Sequence, residues 1–271
     1  MAWDRPAGES KPTPEEGYEV RLRQTLEDVL PLMLEGMRQD EEAMIRQGSA
    51  DPAMLEPEDI IHLKDRVAFL RGLNPHALEG RIIREWQSGD DRLMVSFMTL
   101  WTIRAHLAMQ RIEGAMQEGK AAGTIPLGEK PDAMIQGLRR SRTEVDAVLS
   151  WLLSRSRVFG ETYQSQDLLG WIQNREESLR GQPKPGGIAG EYSFLTRILS
   201  GPTQGGDREA LRALIDREMS GDLMPMEGLL IGALRDEPEV REDLRRGTQS
   251  LLKLYQIRPF VDALIPERPG L

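Results

Sequence analysis

The chain of 271 residues is 39% hydrophobic and 29% charged, carries a formal net charge of −9 and contains no cysteine. That length suits one large helical domain or two smaller ones, and that composition a globular chain rather than a wholly disordered one. Without cysteine there are no disulfides, thiolate zinc sites, iron–sulfur clusters or cysteine nucleophiles, and an acidic chain does not coat polyanions unaided.

Residues 1–12 are polar, contain Pro6 and Pro12, and read as a flexible tail. The stretch Met1 to Pro6 has no apolar core of the kind a secretory signal needs, so the expected setting is cytoplasmic or another reducing interior, a virion interior included. Thr13-Pro14-Glu15-Glu16 reads as a helix start, with Thr as N-cap, Pro at the first helical position and Glu three residues after the cap. Leu22, Leu26, Val29, Leu30, Met33, Met37, Met44 and Ile45 then recur at helical spacing, with Pro31 expected to kink or divide the run. After a loop over 48–57, a second helix is predicted over 57–71, with Ile60, Leu63, Val67 and Leu70 on one face and Gly72 as its stop. Asn74-Pro75 opens a third, carrying Leu78, Ile82 and Trp86 and closed by Ser88-Gly89.

Asp90-Asp91 opens the longest predicted helix, reaching about residue 118. Its stretch Leu93 to Ile103 is the most apolar of the chain, yet it is interrupted by Ser96, Thr99 and Thr102 and is far shorter than the roughly 20 residues a bilayer requires. A helix buried on most sides, with no membrane span, is the reading. A loop over 119–131 leads to a fifth helix over 131–157, where Met134, Leu138, Val145, Leu149 and Leu152 form a seam near heptad spacing. A sixth helix after Gly160 carries Leu168, Leu169, Ile172 and Leu179. The Gly/Pro-rich stretch 181–190 reads as a linker. Beyond it, shorter helices are predicted over 191–199, 207–220, 225–235 and 238–257, with a last turn over 259–265 and a tail over 266–271.

The expected architecture is therefore all-α: a bundle of about six helices over 13–180, then a smaller unit of about four to five short helices over 191–265. Few Phe and Tyr residues and no strand-like alternation support it, and no internal repeat suggests a solenoid.

The chemistry is sparse. Three histidines occur, His62, His76 and His106, and only His62 has an acidic residue, Asp59, one turn before it. A di-iron carboxylate site needs that spacing on two helices and further Glu on two more, so no metal or cofactor site is expected. Gly186-Gly187-Ile188-Ala189-Gly190 lacks the Lys-Ser or Lys-Thr and the preceding strand of a phosphate loop. The serine nucleophile elbow is absent, and adjacent acids such as Asp90-Asp91, Glu41-Glu42 and Glu176-Glu177 point about 100° apart on a helix rather than converging. No catalytic residue is predicted, although an active site of carboxylates and Arg on helices would leave no short motif.

Two patterns stand out. Helix five carries Arg139, Arg140, Arg142, Arg155 and Arg157 against Glu144 and Asp146. Arg139 and Arg157 share an azimuth five turns apart, and such a row suits phosphate contacts, while pairing with the acidic N-terminal helices is the commoner use of such arginines in a chain this charged. Methionine is the second: Met33, Met37 and Met44 lie on the first helix, where they fit either an irregular core or an adaptable docking face. Trp3, in a polar tail with no local core, is a further candidate partner contact.

The functional expectation is a non-catalytic structural or assembly protein that forms a homo-oligomer or docks a protein partner, of the type found in viral or phage matrix, nucleocapsid or capsid. The alternative is nucleic-acid binding through the arginine helix.

Overall fold

The computed structural model describes residues 14–51, 53, 55–121, 131–159 and 207–264. Among them the chain is all-α, with seven helices and no strand. They are α1 (Pro14–Ala50), α2 (Pro57–Gly72), α3 (Pro75–Gln87), α4 (Arg92–Ala121), α5 (Pro131–Arg155), α6 (Asp207–Leu234) and α7 (Pro238–Leu264). The chain divides into two compact units, residues 1–81 and 82–271.

In the first unit, α1 and α2 pack together as a helical hairpin. The face of α1 that turns inward is the predicted one, Leu22, Leu26, Val29, Leu30, Met33, Leu34 and Met37. Pro31 lies inside α1, which the structure carries through as a single helix of 37 residues. Its ring is exposed, so the carbonyl it leaves without a helix donor, that of Glu27, can be met by water. Apolar burial on both sides of it, from Leu30 and Met33, keeps the helix going. The backbone N–H of Glu56 donates to the Asp59 carboxylate at 3.3 Å and Pro57 occupies the first turn, which starts α2 sharply. Leu63, Val67 and Leu70 are its buried face.

Asn74 caps α3, its side-chain oxygen accepting the N–H groups of His76 at 3.0 Å and Ala77 at 3.4 Å. The helix closes on Gly89, whose φ of +97° lets Gly89 N–H reach Trp86 O and Asp90 N–H reach Glu85 O. The same closure ends α6, with Asp236 in the left-handed position at φ +63°.

In the second unit α4 is the central element: it packs on α5, α6 and α7, while α6 and α7 pack on each other. From Leu93 to Ile103 every α4 side chain is buried except the half-buried Trp101, so this stretch needs cover on several sides. Helices α6 and α7, expected as short elements of a separate domain, supply part of that cover and belong to the second unit. They are also longer than expected. Gly221 and Pro225, at the gap between the helices predicted over 207–220 and 225–235, sit exposed within one helix of 28 residues, while Leu223 and Met226 are buried beside them. The predicted last turn over 259–265 is likewise largely part of α7. Gly247 lets the two helices meet closely, since a Cβ there would collide with the Met226 sulfur. The predicted sixth helix, the linker 181–190, the helix over 191–199 and both tails lie outside the described residues.

Candidate functional site

The interior of the second unit holds a row of polar groups that begins on α4. Ser96, Thr99, Thr102 and His106 recur every three or four residues, share one stripe of the helix and are all buried. Thr248 of α7 donates its hydroxyl to Ser96 Oγ at 2.8 Å, and Thr102 turns its own back to the carbonyl of Met98 at 2.7 Å. Two residues after Thr102, Arg104 forms an ion pair with Glu227 of α6, a carboxylate only 2% exposed.

His106, 3% exposed, is where the helices converge. Its Nε2 stands 4.0 Å from the Asp216 carboxylate of α6. Its ring meets Tyr255 of α7 edge-on, 5.5 Å between centres. The Tyr255 hydroxyl donates to Asp146 of α5, and Gln110 donates to Asp216 at 3.3 Å. Each of these contacts ties α4 or α7 to a different helix. Chemically the set offers one imidazole, two carboxylates and a phenol, all engaged with neighbours on other helices. Among the described residues no group of three or more His, Asp and Glu is arranged to hold a metal ion.

A second polar cluster surrounds the start of α4. Arg241 of α7 reaches Glu85 at 3.3 Å, Asp90 at 3.2 Å and Asp236 at 3.2 Å. Arg92 grips Asp90 with two further bonds of 2.8 and 2.7 Å. Those hydrogen bonds, aided by the charge of Arg241, hold the Asp90 carboxyl below its ordinary value against the opposing effect of burial.

The residues singled out from the sequence fall in different places. Arg140, Arg155 and Arg157 are exposed; Arg139 and Arg142 lie on α5, but their side chains are outside the described residues. Arg155 lies over the Trp151 ring, 5.5 Å from its centre, and Trp151 meets Trp86 edge-on at 6.4 Å. Arg140 and Arg155 are separated by about 22 Å along the helix, so the exposed arginines form a sparse row rather than a compact patch. Met33 and Met37 are completely buried and Met44 half-buried, so the first two serve the packing of α1 and not an outer docking face. Trp3 lies outside the described residues.

The polar row of α4 was visible in the sequence as Ser96, Thr99 and Thr102 at three-residue spacing inside an apolar run, with His106 completing it. Read as mere interruptions of hydrophobicity, those residues concealed a stripe that needs partners. The partners come from 106 to 152 positions away, and nothing local marks them.

No protein-family model, no curated protein and no solved structure matches this chain. The chemistry of its own residues is what bears on function. Among the described residues no helix is long and apolar enough to cross a membrane.

Proposed function

We propose that the chain is a non-catalytic structural or assembly protein that associates with itself or a protein partner through its helical surfaces. The observation that carries this reading is the use made of the interior polar groups. Arg104 with Glu227, Tyr255 with Asp146, Thr248 with Ser96 and Arg241 with Glu85 each join two helices, so these groups maintain register between packed elements. A well-defined scaffold is what a docking surface requires.

With Met33 and Met37 inside, the contact falls to the apolar side chains that stand outside. In the first unit these are Val20, Leu32 and Ile61, each more than 60% exposed. Light scattering over a wide concentration range tests the reading on the full chain. Association that is lost in Val20→Glu, Leu32→Glu, Ile61→Glu at unchanged helix content is the expected result. A strictly monomeric chain at every concentration, with no partner bound, overturns it.

A second reading, anion or nucleic-acid binding along α5, is favoured by the exposure of Arg140, Arg155 and Arg157. It expects affinity that falls steeply with salt and disappears when these three become Glu. No binding at low salt, or equal binding by the triple variant, removes it.

A further inference from the structure

The first unit contains a carboxylate that its surroundings do not suit. Glu41, on α1, is 4% exposed. One of its oxygens lies 3.4 Å from Arg66 of α2, a side chain that itself remains 38% exposed. The other oxygen is buried without a hydrogen-bond partner among the described residues.

Two nearby arginines are committed to other carboxylates. Arg38 bridges Glu35 and Glu42 on the outer side of α1, and Arg71 of α2 binds Glu42 at 2.7 Å. Asp40 adds a like charge next to Glu41. So Arg66 is the cation of α2 that faces Glu41, at a long distance, with Arg71 drawn to the neighbouring carboxylate.

We propose that Glu41 makes the α1–α2 hairpin a pH-responsive joint, closed while Glu41 is neutral and loosened when it ionises. A neutral carboxyl in this position is a modestly polar group beside Arg66. An ionised one is a buried charge with one oxygen unserved and the other weakly paired, which favours opening toward water. Burial pushes the Glu41 carboxyl up from its ordinary value, Asp40 adds to this, and Arg66 opposes it. A carboxyl raised on folding stabilises the closed hairpin below its ordinary value, and that contribution is lost as pH rises through the folded-state value.

Amide hydrogen exchange on the full chain, corrected for the intrinsic effect of pH, reads this locally. Protection of the α1–α2 amides is expected to fall as pH rises, roughly tenfold for each unit by which Glu41 is raised. Glu41→Gln keeps the shape without the charge, and should hold the hairpin protected and flat across the same range. Arg66→Met removes the opposing cation, and should deepen the loss of protection at high pH. The proposal is overturned if the wild-type hairpin shows no such pH dependence, or if Glu41→Gln retains it. Should Glu41→Gln fail to fold, a wild-type profile in Arg66→Met overturns it equally. Association plays no part in this readout, so its outcome is separate from that of the docking reading.

Discussion

Asp91, at the start of α4, accepts a hydrogen bond from the backbone N–H of Arg157 at 3.0 Å, joining positions 66 residues apart just beyond the end of α5. The carboxylate is 3% exposed. Asp91→Ala leaves a backbone N–H without its acceptor and is expected to cost about 1–3 kcal/mol. Asp91→Asn, which retains an acceptor oxygen, should cost less. Urea unfolding followed by circular dichroism gives both values. The bond uses the Arg157 backbone and not its guanidinium, so Arg157→Glu leaves it in place, and the nucleic-acid test on α5 is not confounded by it.

Gly89 is expected to resist substitution. At φ +97° a side chain is strained, and a Cβ there would also lie 3.3 Å from the Arg157 guanidinium. Gly89→Ala should destabilise by about 1–2 kcal/mol, seen as a lowered melting temperature. A neutral result would mean that the closure of α3 relaxes more readily than its hydrogen bonds suggest.

The Arg104–Glu227 pair should behave asymmetrically. Arg104→Met leaves a carboxylate buried opposite an apolar chain, at an expected cost of about 3 kcal/mol. Glu227→Met alone is expected to be milder, because Arg104 is 22% exposed and can turn toward water. The double variant should recover most of the loss. If the two single costs simply add, the pair is not coupled.

Asp90 sets an acid-side dependence opposite in sign to that of Glu41. Its carboxyl is held below the ordinary value by Arg92 and Arg241, so the folded chain favours the ionised form. The stabilisation is present above the ordinary value and is lost as pH falls through the lowered one. Asp90→Asn should flatten the acid limb of a stability–pH curve and weaken the second unit at neutral pH. An unchanged acid limb would show that Asp90 keeps its bonds when protonated.

Much of the fold could be read from the chain. The Pro57, Pro75 and Pro131 helix starts, the stop at Gly89 and the all-round burial of 93–103 depend on local chemistry and hydrophobic period, which a sequence displays directly. The effect of Pro31 and Pro225 could not, since a proline divides a helix or is carried within it according to which face it occupies and how well its neighbours are buried. The same limit applied to methionine. Its flexible side chain suits a core and an interface alike, and the inward position of Met33 and Met37 depends on packing partners the pattern does not name. The polar row of α4 was half visible: its spacing lay in the sequence, but Thr248, Glu227, Asp216 and Tyr255 are supplied by α6 and α7.

A wholly apolar stripe lets a helix rotate or slide by a residue at little cost, because one leucine can replace another. The row on α4 denies that freedom. Turning α4 by a single residue would take Ser96 away from Thr248 and His106 away from Asp216, leaving hydroxyls and an imidazole against hydrocarbon. Replacing the whole row with alanine and leucine should therefore yield a second unit at least as resistant to unfolding but less singular. Broadened side-chain resonances would appear before any fall in melting temperature.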